Sequence, residues 1–138
     1  MSGKLTKIFT FTIIGVVSVL IYLGYREPKV TVSAKSFNVQ CLWSITVPIK
    51  EIVKADTISW KEMPLISSRT NGISLFGVHR GWFYTKERNT VWLSVKSGIA
   101  PVILIVGENG KTYYMNRTNT KETMDIFDEL SNFIECKE

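Results

Sequence analysis

The chain has few of the side chains that build metal centres and catalytic sites. Its 138 residues include one histidine, His79, and two cysteines, Cys41 and Cys136. A structural zinc site takes four ligands, usually Cys or His, and these three residues do not suffice for one. The Gly-x-Ser-x-Gly turn that carries the nucleophile of many hydrolases is also missing from the sequence. We therefore expect a protein that is not an enzyme, with no catalytic residues, no metal and no cofactor.

The globular part of the chain also lacks a strong charge excess. Of the 17 basic residues, four flank the apolar N-terminal segment, and the other 13 accompany 11 acids in residues 30–138. This near balance gives no electrostatic reason to expect a nucleic-acid partner. The acids concentrate in residues 120–138, which favours a solvated acidic helix on a mildly basic sheet. The alternative is that the basic side faces anionic lipid headgroups.

One long apolar run dominates the N-terminus. Residues 8–25, IFTFTIIGVVSVLIYLGY, contain no charged side chain. As a helix this run rises about 27 Å, close to the ~30 Å of a bilayer's hydrocarbon core. A cleaved signal peptide is the alternative, but its apolar region is usually only about 7–15 residues long, and residues 23–28 lack a small-x-small cleavage motif. We predict an uncleaved transmembrane helix at 8–25, preceded by a short tail at 1–7.

The rest of the chain is organised as a linker and one domain. The linker covers residues 26–29 and the domain covers residues 30–138. Lysine and arginine are almost equally frequent on both sides of the apolar run, so the positive-inside rule does not decide the orientation. A short tail that stays inside is the common outcome for a single N-terminal anchor. We therefore predict a single-pass membrane protein and favour a domain on the extracytoplasmic side.

The region after the linker has the pattern of a mainly β domain. Apolar and polar residues alternate in short segments such as 30–32 and 37–41. Residues 101–106 form a continuous apolar run, which predicts a strand buried on both faces. Asn71-Gly72 is a dipeptide typical of turns. We expect about seven strands in a small barrel or bent sandwich.

The period changes at residues 120–135, where a C-terminal helix is predicted. Residues three and four positions apart form one apolar stripe: Met124, Phe127, Leu130, Phe133 and Ile134. Asn119 is the predicted N-cap, and Glu122 completes a pattern like a capping box.

A resemblance to a known family rests on one motif and three supporting segments. Residues 69–77, RTNGISLFG, followed by 80–83, RGWF, resemble the RTNG…G…G-aromatic signature of bacterial pleckstrin-homology-like domains. Segments 29–33, 45–52 and 100–103 resemble further strands of that family. The resemblance implies a PH-like seven-stranded barrel with a C-terminal helix, a fold used to bind proteins, peptides or lipid headgroups. Relatives often carry two transmembrane helices, whereas this chain has one.

The motif residues are interpreted as structural. They are Arg69, Thr70, Asn71, Gly72, Gly77 and Gly81. Gly72 is expected to supply a positive φ angle, and Asn71 can visit the same region. A ligand site is the alternative interpretation.

A candidate interaction patch lies before the motif. Trp60, Met63 and Leu65 belong to an apolar segment that Pro64 interrupts, which indicates a loop or an edge rather than a core strand. Large apolar side chains on a loop are typical of a protein interface. The alternative is that they fold back over the end of the barrel.

These observations predict a membrane-anchored binding or scaffolding module. The alternative is an accessory subunit of a membrane transport or enzyme complex. The expected partners are the lipid bilayer and a protein that the sequence does not identify. Residues 79–84 interleave basic and aromatic side chains, but alternation in a barrel wall explains this pattern, and we predict no nucleic-acid partner.

Overall fold

The computed structural model describes residues 2–136. Met1, at the start of the predicted tail, and Lys137 and Glu138, at the end of the predicted domain, lie outside the described residues. Helix α1 spans Ser2–Tyr25 and therefore begins before the apolar run. The strands that follow are β1 (Lys29–Val32), β2 (Ser36–Gln40), β3 (Ile45–Pro48), β4 (Ile52–Ile58), β5 (Ile66–Leu75), β6 (Val78–Thr85), β7 (Thr90–Lys96), β8 (Val102–Gly107) and β9 (Thr112–Met115). Helix α2 spans Thr120–Cys136.

The strands form two sheets. The smaller sheet has the order β1-β2-β3, and the larger one has the order β4-β8-β9-β7-β6-β5. All strand pairs are antiparallel except β7 and β9, which run parallel. The prediction of a mainly β domain with a C-terminal helix is confirmed. The seven-stranded PH-like barrel is not confirmed, since within residues 2–136 there are nine strands, and β4 and β5 form the two edges of an open larger sheet.

The main core lies between the two sheets and α2. Phe37 and Val39 from the small sheet meet Trp92 and Ile103 from the large sheet, and Leu130 of α2 closes the cluster. These side chains are fully buried. The apolar stripe on α2 is as predicted except that Ile126, and not Met124, packs against the core. Met124 is 37% exposed, and the partly buried side chains that join Leu130 against the core are Ile126, Phe127, Phe133 and Ile134.

A second core covers the opposite face of the large sheet. Phe83, Val91, Leu93, Val95 and Val102 pack together there. The segment between β4 and β5 lies across them. The central strands of this sheet are therefore buried on both faces. This confirms the interpretation of the apolar run that became β8 and explains why every residue from Val91 to Val95 is buried.

The Asn71-Gly72 dipeptide lies inside β5 and does not form a turn. Gly72 faces Gly81 of β6, and a Cβ atom at Gly72 would fall on the carbonyl oxygen of Arg80. Glycine is required here because two backbones approach closely, whereas the positive φ angle expected at Gly72 occurs instead at Gly77 and Gly81.

Candidate functional site

The last turn of α1 is inserted into one end of the domain. Gly24 is the buried residue of this helix, and a methyl group placed on it would lie 3.6 Å from side-chain atoms of Leu42, Trp43 and Ile73. The next residue, Tyr25, forms an edge-on contact with Phe76, with ring centroids 6.3 Å apart. The helix thus continues into the domain through packed side chains as well as through the linker.

Arg80 lies buried beneath this helix end. Its side chain lies on the same face of β6 as Trp82, which packs against the main core, and its residue exposure is 3%. Nη1 donates a hydrogen bond to Ser94 Oγ at 2.9 Å, and Nη2 lies 3.5 Å from the carbonyl oxygen of Tyr25. Burial lowers the pKa of the guanidinium, although it remains a cation at neutral pH. A cation at the C-terminus of a helix is favourable, because the unpaired carbonyl groups there carry partial negative charge.

Arg117 connects the linker to the start of α2. Its guanidinium contacts Glu27 at 3.2 Å and Glu122 at 2.9 Å, and Nη1 donates a hydrogen bond to the carbonyl oxygen of Pro28 at 2.7 Å. The backbone N–H of Thr118 donates to Glu27 Oε1 at 2.6 Å. These contacts hold the chain leaving α1 against the C-terminal part of the domain.

These contacts change the pKa of the Glu27 carboxylate. Burial raises its pKa, but the hydrogen bonds from Thr118 and the charges of Arg117 and Arg80 outweigh that effect. The pKa of Glu27 therefore lies below its usual range. The predicted capping-box partner Glu122 binds Arg117, while Asn119 caps α2 as predicted, through a bond from the N–H of Lys121 to its side-chain oxygen at 2.9 Å.

The family-motif residues separate into two groups. Asn71 accepts a hydrogen bond from Trp43 Nε1 at 3.1 Å, and Trp92 Nε1 donates to the carbonyl oxygen of Trp43 at 2.9 Å. Asn71 thus helps to fix the β2–β3 loop that contacts α1. Arg69 and Thr70 are exposed on the edge strand β5. Gly77, with φ 78°, is part of the β5–β6 turn. Gly81, with φ 113°, lies opposite Gly72 of β5 at the close approach of the two strands.

The three residues of the candidate patch do not share one environment. Trp60 and Met63 are half-buried and cover the second core. Leu65 is 67% exposed. The structure therefore brings Trp60 and Met63 together over the sheet and leaves Leu65 on the surface.

His79 bridges two hydroxyl groups. Its Nδ1 lies 2.8 Å from Ser74 Oγ, and its Nε2 lies 3.0 Å from Ser97 Oγ. Burial and the charge of Arg80 lower the pKa of His79. Both ring nitrogens are occupied by serine hydroxyls, so the histidine joins β5, β6 and the β7–β8 turn. In the described part of the chain, no three His, Cys, Asp or Glu side chains lie close enough together to hold a metal ion.

A polar pocket of about 350 Å³ lies at the other end of the large sheet. It is bounded by the β6–β7 turn with Glu87 and Asn89, by the β8–β9 turn with Lys111, and by Tyr114. Burial, together with the charge of Glu87, raises the pKa of Tyr114, so its hydroxyl remains a hydrogen-bond donor at neutral pH. The lining of the pocket offers mainly polar groups, and the length of the sheet lies between the pocket and α1.

Sequence reasoning missed the residues that join helix and domain. Arg80 offered a signal, since a residue two positions before Trp82 in a strand lies on the same face as that large aromatic side chain. Glu27 and Arg117 gave none, because they are distant in the sequence. In comparisons with family models, curated proteins and solved structures, nothing matched this chain.

Proposed function

We propose that this chain is a single-pass membrane protein whose domain is a non-enzymatic binding or scaffolding module held against the bilayer. The proposal rests on the way in which α1 is attached to the domain. The helix has a mean hydropathy of 2.1 over its most apolar stretch, of which 6% is buried. Only its last turn packs into the domain, which leaves the rest free to contact lipid.

A helix of this kind could also be a signal sequence, and its packing argues for retention. Cleavage near Tyr25 would remove the carbonyl group beside Arg80 and uncover Leu42 and Ile73. A buried cation that loses a partner is costly. A domain whose interior is completed by the helix is better suited to an uncleaved anchor.

The surface for a partner is proposed at the end far from α1. The polar pocket there is flanked by charged turns, and Leu65 lies exposed at the neighbouring start of β5, where its carbonyl oxygen accepts a hydrogen bond from Lys86 N–H. An exposed leucine beside polar groups is a common composition for a protein interface. A relationship to bacterial PH-like domains, an extracytoplasmic location and a role as accessory subunit of a transport or enzyme complex remain parts of this proposal.

The anchor is tested by carbonate extraction of native membranes combined with intact-mass measurement. We expect the protein to stay in the pellet with residues 1–28 attached. A mass beginning after Tyr25, or release into the supernatant, contradicts the proposal. The partner surface is tested by photo-crosslinking from position 65, with position 35 as an exposed control on the small sheet.

A further inference from the structure

The β5–β6 turn places an aromatic side chain where turns rarely have one. Phe76 and Gly77 are the two residues of this turn, with φ angles of 51° and 78°. Two positive φ angles define the hairpin turn for which Asn-Gly is the preferred sequence. A bulky residue such as phenylalanine is unfavourable in this conformation, because its Cβ crowds the following carbonyl oxygen.

The side chain of Phe76 gains nothing from the core that would offset this conformation. It is 79% exposed, and the ring contact it makes is with Tyr25 of α1. An unfavourable backbone conformation at an exposed residue is a reason to look for a functional role. Leu42, 47% exposed, lies on the β2–β3 loop, where its Cδ1 atom would be 3.6 Å from a Cβ atom placed on Gly24 of α1.

The position of this turn relative to a membrane follows from the length of the anchor. Residues 8–25 rise about 27 Å as a helix, nearly the ~30 Å of the hydrocarbon core, so Tyr25 lies at the boundary between acyl chains and headgroups. The centroid of the Phe76 ring lies 6.3 Å from that of the Tyr25 ring, so the depth of Phe76 differs from that of Tyr25 by no more than this distance. Tryptophan and tyrosine are enriched at this boundary, and phenylalanine and leucine are typical of the apolar face of segments that lie in it.

Charge separates this end of the domain from the opposite end. The three segments around the helix end, 41–44, 75–78 and 96–100, contain no acid and one basic residue, Lys96. The two turns at the opposite end, 86–89 and 108–111, contain five charged residues. These three segments bring no acid next to the lipid headgroups, and the one acid of the nearby linker, Glu27, is paired with Arg117.

We propose that Phe76 and Leu42 insert into the headgroup–acyl boundary beside the anchor, so that the domain contacts the bilayer at two places. This inference rests on the proposed membrane anchoring. The second contact would fix the orientation of the domain and direct the polar pocket away from the lipid surface.

The test uses the full chain in phosphatidylcholine–phosphatidylglycerol nanodiscs, with Cys41→Ala and Cys136→Ser as the background. A nitroxide is attached after Phe76→Cys, Val16→Cys or Glu87→Cys, and its accessibility to oxygen and to a water-soluble nickel chelate is measured. We expect oxygen to dominate at positions 16 and 76 and the nickel chelate to dominate at position 87. If position 76 behaves like position 87 while position 16 is lipid-exposed, the second contact is refuted and the anchor stands. If position 16 also behaves like position 87, the anchor itself is refuted.

A second variant keeps the fold and removes the contact. Phe76→Asn restores the preferred turn sequence, so the melting temperature should stay the same or rise. With the nitroxide moved to Leu42→Cys, the ratio of oxygen to nickel accessibility should fall several-fold in Phe76→Asn and stay unchanged in the control Tyr84→Asn. An unchanged ratio in both variants overturns the inference. Spin–spin broadening that depends on protein density, with no lipid accessibility at position 76, would assign the turn to a second copy instead and also overturn it.

Discussion

Replacing Arg117 by methionine tests how much this side chain contributes to holding the linker against the domain. Methionine keeps much of the length and apolar stem but removes the charge. The carbonyl group of Pro28, a buried residue, would lose its donor at a cost of about 1.5–3 kcal/mol. The pair with Glu27, whose side chain is 32% exposed, adds roughly 0.5–1 kcal/mol, and the half-exposed Glu122 adds little. We expect a total loss of about 2–4 kcal/mol in the free energy of unfolding.

Urea denaturation of the full chain in detergent micelles measures this loss. All four tryptophans lie after the linker, so their fluorescence reports on the domain and, through Trp43, on its contact with the last turn of α1. The control is Arg69→Met, which removes an exposed arginine on β5 and should change the free energy by less than about 0.5 kcal/mol. A double-mutant cycle with Glu27→Gln should give a coupling of about 1 kcal/mol. Equal effects of Arg117→Met and Arg69→Met, or zero coupling, would refute the reasoning.

Three further predictions address the linker, the paired glycines and the candidate patch. The folded pKa of Glu27 is depressed, so its contribution to stability is present above its unfolded pKa of ~4.3 and is lost as pH falls through the folded value. The free energy of unfolding, measured between pH 7 and pH 3, should therefore fall less steeply in Glu27→Gln than in the unmodified protein. Gly72→Ala should lower the free energy of unfolding by at least about 3 kcal/mol or prevent folding, because its Cβ would meet the Arg80 backbone. Gly110→Ala, with φ 79° and open space around it, should lower it by about 1–2 kcal/mol. Equal losses in thermal unfolding would show that crowding at Gly72 is not the constraint. Trp60→Ser should cost about 2 kcal/mol through loss of packing on the second core, while Leu65→Ser should leave the melting temperature unchanged, and a reversed order would place Leu65 in the core instead.

Features set by local pattern could be predicted from the sequence. The apolar run of α1, the doubly buried strand β8 and the Asn119 cap of α2 each depend on residues close together in the chain. Local pattern also misled at Asn71-Gly72, because a glycine needed for close backbone approach looks the same in sequence as a glycine needed for a turn.

Features set by long-range pairing could not be predicted in this way. The bond from Arg117 to the Pro28 carbonyl joins residues 89 positions apart. The alternation of β9 is compatible with any neighbouring strand, so nothing local placed it between β7 and β8. The candidate patch was ambiguous for the same reason, since only the position of the second core determines that Trp60 faces inward while Leu65 faces outward.

The position of β9 determines the order in which the domain can be completed during synthesis. Residues Thr112–Met115 emerge from the ribosome after every other strand, yet they supply the hydrogen bonds that join β8 to β7. Until then, the pair β4–β8 and the group β5–β6–β7 are separate, while α1 at the start of the chain is already available for insertion. With α1 as the proposed anchor, the nascent protein would lie at the membrane with its apolar sheet faces uncovered until β9 is synthesised. A chain that stops before Thr112 is expected to stay attached to the bilayer as a target for proteases, since no smaller part of this sheet is complete without its last strand.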